Sequence, residues 1–382
     1  MKSPLAALGL AVALVGCSNQ VTQLPDPKDE LVRVVEEWRE RTPVPGVAVV
    51  VVGEEIGRHE IASGTLLRDS EQLIAVSTPF RVASVTKTLV AVVVLQLVDG
   101  GRLLLDEPVI DLLTNSAVGD GLSSLLEGVT IRDLLAHTSG LPDTARSPEL
   151  IDAIKAQPER AWTTEDVLAV VSDRAREFDP GTGFGYSNTN YLVASLVIEA
   201  VTGESWWEEI RGRVLDPLTM TGSYLAGYED PVGWLAPGYF DMDNDGFTEV
   251  VPRPWPALST SEGASGALVS TAPDLIRFMR GLVEGELVSD SAFSKMVTRG
   301  PFASRYTGYG LGMEVLQPDL QTTVWGHGGF LPGHRTVLWY APEHEMTIVV
   351  LTNESRSRPE ALAELLLHVG IREQFEDVRA AD

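Results

Sequence analysis

A serine three residues before a lysine, Ser84-Val85-Thr86-Lys87, offers the most direct route to chemistry in this 382-residue chain. Of its five lysines, only Lys87 has a serine at that spacing. The apolar run from Thr88 to Val98, closed by Gly100 and Gly101, predicts a buried helix starting at Ser84. Positions i and i+3 share a helix face, so the lysine nitrogen sits beside the serine hydroxyl. A hydroxyl is a poor nucleophile until a base takes its proton. A lysine walled by apolar residues has a depressed pKa and can be that base. The helix N-terminus adds backbone N–H groups aimed at an oxyanion formed there. The competing reading is structural: Ser84 caps a core helix and Lys87 snorkels to the surface.

Two later segments could supply partners. Asp179-Pro180-Gly181-Thr182-Gly183-Phe184-Gly185-Tyr186-Ser187-Asn188 precedes a predicted helix over Asn190 to Val201. It is either a glycine-rich turn with Ser187 or Asn188 capping that helix, or a rigid loop presenting a phenol and an amide. A tyrosine near a lysine can have a lowered pKa and shuttle protons, and the Asn188 amide can donate to a substrate carbonyl. No strand precedes Gly181-x-Gly183 and no Lys-Ser/Thr follows it, so it is not a phosphate loop. Near the C-terminus, Trp325-Gly326-His327-Gly328-Gly329-Phe330 reads as a strand. Its glycines would let substrate lie against backbone, with His327 facing the cleft and the Phe330 N–H free to meet an oxyanion. The bland alternative is a strand edge with a turn-forming tail.

The elements that must position these groups follow from periodicity. Glu30 to Arg41 is helical, Gly46 to Val52 is a β-branched strand, and His59 to Leu66 is its hairpin partner. Helical segments follow over Ile131 to Ala136, Thr164 to Ser172, Asn190 to Val201 and Trp206 to Val214. Strands return over Trp325 to Phe330, Arg335 to Tyr340 and Met346 to Thr352, before a last helix from about Pro359 to Val369. The expected class is α+β: an antiparallel five-stranded sheet built from both chain ends, flanked by helices, with an inserted mainly helical lobe. The expected divisions are a leader over 1–17, a linker over 18–30, a domain over 31–375 and a tail over 376–382. Within the domain, the α/β lobe covers about 31–110 and 257–375, and the helical lobe about 111–256. The site belongs where the lobes meet.

Composition excludes several function classes. The formal charge is −25 and no basic cluster occurs, which argues against nucleic-acid binding. The six histidines show no H-E-x-x-H or H-x-H pairing, so no metal or other cofactor is expected. Asp241-Met242-Asp243-Asn244-Asp245-Gly246 matches half of a calcium loop, but Pro252 stands where the bidentate glutamate belongs; a hairpin turn is the favoured reading. No G-x-S-x-G elbow is present. At the N-terminus, Lys2 and the apolar run Pro4 to Val15 form an export signal too short to remain as a span. Leu14-Val15-Gly16-Cys17 looks like a bacterial lipoprotein cleavage box, which implies lipidation of Cys17, the only cysteine. The expectation is an exported protein, lipid-anchored to a bacterial membrane.

Taken together and in order, S-x-x-K, Y-S-N and H-G-G resemble the penicillin-recognising serine hydrolases: D-alanyl-D-alanine carboxypeptidases, class C β-lactamases and related esterases. The resemblance covers about Leu31 to Val369, and Leu134 to Pro142 and Gly263 to Asp274 look like further family segments, with His137 structural. It implies that Ser84 is acylated, that Lys87 activates it, and that Tyr186 carries protons to the leaving group and later activates water. It further implies that Asn188, His327, Gly328 and Gly329 orient substrate and that the Ser84 and Phe330 N–H groups form the oxyanion hole. Histidine at 327, where many relatives have lysine, is a weaker cation for a substrate carboxylate. The expected function is a serine hydrolase acting on D-alanyl peptides or β-lactams. The alternatives are a short-chain carboxylesterase of the same fold and a non-catalytic cell-envelope binding lipoprotein.

Overall fold

A run of seven residues in which nearly every position is apolar and β-branched suits a strand covered on both faces. In the computed structural model, which describes residues 27–114, 117–241, 249–251, 255–303, 307–318 and 322–381, that run is β1 (Gly46–Gly53). Its alternate side chains enter two cores. Val47, Val49 and Val51 pack with Leu31, Val35 and Trp38 of α1 (Pro27–Arg41) and with Leu362 and Leu366 of the C-terminal helix Pro359–Ala381. Ala48 and Val50 face the other way, towards α2 (Val85–Asp99). Each fully buried valine or leucine contributes about 1.5–3 kcal/mol relative to an exposed one, so a one-residue register slip would exchange the two cores.

The sheet has seven strands, not the five expected. Besides β1 and β2 (Gly57–Gly64) it holds β3 (Thr307–Tyr309), β4 (Glu314–Leu316), β5 (Val324–Leu331), β6 (His334–Ala341) and β7 (Met346–Thr352), in the order β2-β1-β7-β6-β5-β4-β3. The two unforeseen strands are three residues long and lie at the edge beyond β5, too short to show an alternating pattern. The strands of this sheet pair antiparallel throughout, with Val49 opposite Val350, Val350 opposite Val337 and Val337 opposite Gly328. Joining first to last strands across the chain places β5 near the sheet's middle, beside α2.

Helix α2 is apolar all round and accordingly buried on every side; Lys87 itself is 0% exposed. Its core also takes in Leu134 and Leu135 of α3 (Ile131–Ala136), Tyr191 and Val193 of α4 (Thr189–Thr202), and Trp206. The helical excursion and the sheet thus share one hydrophobic cluster across α2. The turn between β3 and β4 is pinned to α2 as well: Gly312, at φ +79°, sets its carbonyl on the Thr88 hydroxyl (2.8 Å), and a Cβ there would meet Ala91 at 2.2 Å.

Candidate active site

Ser84 stands at the N-cap of α2, directly after Ala83, which adopts a left-handed φ of +50°. A β-carbon disfavours that conformation, and here it turns the chain sharply from Phe80–Arg81 into the helix. The turn is held by the Val82 N–H donating to Leu268 O (3.0 Å) and the Leu268 N–H donating to Thr86 Oγ1 (3.0 Å). The N–H groups of Val85, Thr86 and Lys87 are taken by the carbonyls of Val82, Ala83 and Ser84, so fewer are free than the sequence suggested. The Ser84 hydroxyl makes no capping bond.

Lys87 points at that hydroxyl instead of snorkelling. Its Nζ lies 3.0 Å from Ser84 Oγ and donates to Ser265 O at 2.8 Å. The rings of Tyr186 and Tyr191 lie 5.0 and 5.7 Å from the nitrogen. Burial lowers its pKa from 10.5 to about 8, against the opposing pull of the Glu262, Asp143 and Glu314 carboxylates. Ser265 is presented by a turn at Gly263 (φ +45°), and its hydroxyl bonds Glu262 O (2.6 Å) and Oε2 (3.3 Å). Glu262 lines the cleft with Ser84. Sequence reasoning missed Glu262: it has no motif, and only its place before Gly263 marked it.

Tyr186 lines the same cleft as Ser84, and its phenol interacts with the Ser84 hydroxyl. Its loop rests on His137, whose ring lies 4.2 Å from the tyrosine ring, centroid to centroid. His137 Nδ1 accepts from the Ser187 N–H (3.2 Å) and the Asn190 amide (2.9 Å), and its carbonyl accepts the Gly185 N–H (3.0 Å). Burial holds this histidine neutral, in keeping with a structural role. The phenol departs from expectation. Burial raises the Tyr186 pKa well above 10.0, outweighing the opposing influence of the Ser84 hydroxyl, so Tyr186 is a protonated donor and not a ready phenolate. Asn188 caps without its side chain; its N–H donates to Asp143 Oδ1 (3.0 Å), while its own Oδ1 finds no donor among the described residues.

His327 also differs from expectation. It is 1% exposed and absent from the lining of the Ser84 cleft. Its Nε2 accepts from Tyr309 Oη at 2.9 Å, and Nδ1 donates to Gly328 O at 2.6 Å. Burial, helped by the nearby Lys87 charge, lowers its pKa to about 3, so at neutral pH it is no cation at all. The glycines serve the fold more than the substrate. A Cβ on Gly329 would stand 2.3 Å from Val82 O, so this glycine lets β5 touch the turn that carries Ser84; a Cβ on Gly328 would make only ordinary contacts, with Glu314 Oε2 at 3.8 Å and Thr336 O at 3.9 Å. The Phe330 ring is 50% exposed and lines the cleft.

Ser84, Tyr186, Asn188, Glu262, Ser265 and Phe330 thus meet on one cleft of about 600 Å³. Among the described residues no cluster of three or more His, Cys, Asp or Glu side chains could hold a metal. Cys17 and residues 242–246 and 252 lie outside the described residues.

The profile of the family described as Beta-lactamase matches residues 31–370. The chain belongs to the Beta-lactamase family. It is 29% identical over 328 residues to Penicillin-binding protein 4 of Amycolatopsis lactamdurans, covering 81% of each chain. A D-stereospecific amidohydrolase from Streptomyces sp. superposes with a TM-score of 0.74 at 26% identity, over 89% of this chain and 97% of that one. A D-amino acid amidase from Ochrobactrum anthropi SV3 shares the fold, with a TM-score of 0.78 at 22% identity over 93% of this chain and 99% of that one. With this family and this fold, the protein is a serine hydrolase.

Proposed function

We propose that this protein is an exported, Cys17-lipidated acyl hydrolase that opens small amides and esters through an acyl-enzyme on Ser84. The observation that carries this reading is Lys87 Nζ at 3.0 Å from Ser84 Oγ inside an apolar shell, with Tyr186 lining the same cleft as that hydroxyl. Neutral Lys87 takes the Ser84 proton as Oγ attacks the substrate carbonyl carbon. The Ser84 N–H and the Phe330 N–H face the resulting oxyanion. Tyr186 gives its proton to the departing nitrogen or oxygen and regains one from Lys87, which leaves the acyl group on Oγ. Water then attacks that ester, passing a proton back through Tyr186, and Ser84 leaves protonated. A phenol that stays protonated suits such a donor. The Asn188 amide orients the substrate carbonyl side.

The neutral, enclosed His327 favours amides and esters over substrates anchored by a terminal carboxylate. D-alanyl peptides and β-lactams remain the second reading, favoured by the likeness to Penicillin-binding protein 4. Labelling separates enzyme from binder. A fluorophosphonate and a fluorescent penicillin are incubated with the wild type and with Ser84→Ala, and the labelled peptide is located by mass spectrometry. Label on the Ser84 peptide, absent in the variant, is expected. Label elsewhere, or none together with no turnover of esters, amides or peptides, would leave the protein a binding module.

A further inference from the structure

Tyr186 separates the Ser84 cleft from a second cavity of about 300 Å³. That cavity is walled by Thr138, Phe184, Phe302, Tyr309 and Glu314. We propose that this cavity receives the leaving group and that Glu314 makes it prefer uncharged or cationic leaving groups over carboxylate-bearing ones. The proposal rests on the acyl-enzyme reading above and deepens it.

Three features carry it. First, Tyr186 is common to both spaces, and a leaving group protonated by its hydroxyl must depart along its face. Secondly, Glu314 is held rather than loose: on β4, its Oε2 accepts the Gly328 N–H at 3.0 Å, and its side chain is 27% exposed. Thirdly, no Lys, Arg or His lines the cavity among the described residues, although Arg299 packs behind Gly308 and lines an adjoining cavity. The His327 Nδ1 lies 4.0 Å from Glu314 Oε1 but gives its proton to Gly328 O. Lys87 is engaged by Ser84 and Ser265.

A carboxylate about 5 Å from an ionised Glu314, at the effective dielectric of a protein site, is disfavoured on the order of 10²-fold. The groups facing Glu314 are His327 from β5, Tyr309 from β3, Lys87 from α2, Tyr186, and Glu360 of the C-terminal helix. Burial, reinforced by Glu360 and opposed by the Gly328 N–H and Lys87, puts the Glu314 carboxyl at about 7. Discrimination therefore grows as pH rises through neutrality and fades below it.

The test uses three phenylacetyl esters with one acyl group and phenols differing only in a meta substituent: hydrogen, carboxylate or aminomethyl. Single-turnover phenol release is measured for the wild type and Glu314→Gln at pH 6 and pH 8.5, with spontaneous hydrolysis subtracted. At pH 8.5 the wild type should release the carboxylate phenol on the order of 10²-fold more slowly than the other two, with a smaller gap at pH 6. Glu314→Gln should bring all three within about fivefold at both pH values, chiefly by raising the anionic ester. A wild type indifferent to leaving-group charge, one that prefers the carboxylate, or a gap unchanged by Glu314→Gln would overturn the proposal. Should the variant misfold, the wild-type comparison across pH decides alone. Fluorophosphonate labelling of Ser84 in the same sample distinguishes this failure from failure of the acyl-enzyme reading, in which Ser84 takes no label and no ester releases phenol.

Discussion

The rate at which Ser84 is acylated should report the protonation of Lys87. Burial moves this amine from 10.5 to about 8. At pH 7 the neutral fraction then rises from about 0.03% to about 9%, a gain of about 300-fold or roughly 3 kcal/mol in the population of the base. The reactive form is the deprotonated one, so acylation climbs with pH: about tenfold per unit below pH 7, bending near 8 and level above about 9. The assay is the pseudo-first-order rate of fluorophosphonate labelling between pH 5.5 and 9.5. Lys87→Met keeps the side chain's length and apolar contacts but supplies no base. It should slow labelling at pH 7 at least ~10³-fold and abolish the bend. A flat wild-type profile, or a methionine variant within tenfold of wild type, would refute the assignment of the base to Lys87.

Three further outcomes follow from particular contacts. Glu262 raises the Lys87 pKa electrostatically, so Glu262→Gln should move the labelling midpoint to lower pH; an unmoved midpoint would show that the carboxylate does not act on the amine. Tyr186→Phe removes the proton donor, and amide turnover should fall about 10²–10³-fold while the acylation burst with a p-nitrophenyl ester, whose leaving group needs no proton, falls less than about tenfold. Equal losses on both substrates would argue against proton donation. Gly329→Ala places a Cβ 2.3 Å from Val82 O and should cost about 1–3 kcal/mol, read as a lowered Tm in calorimetry, whereas an unchanged Tm would mean that β5 can withdraw from the Ser84 turn without cost.

The Ser84–Lys87 pair was legible from the chain because its geometry is local. A helix fixes which residues share a face, and an apolar run that long forces burial, so the neutral-leaning amine followed from position alone. The β1 valines were legible for a similar reason, since a strand apolar at every position must be covered twice. The Tyr186 loop and the His327 strand stood out as candidate partners, but only the resemblance tied them to Ser84, because no spacing rule joins segments about a hundred residues apart. Strands β3 and β4 escaped notice because three-residue edges carry no period, and with β4 went Glu314.

What only the tertiary structure decided is which groups are charged. The same burial that readies Lys87 keeps Tyr186 protonated and strips His327 of its proton, reversing the lowered phenol pKa and the weak cation expected from sequence. It also brings Glu262 and Glu314, from unrelated parts of the chain, close enough to act on Lys87. Residue order specifies the reactive pair and the sheet that supports it. Ionisation depends on how much water the finished fold removes from each group and on which charges it leaves nearby, and both quantities exist only once distant segments have packed.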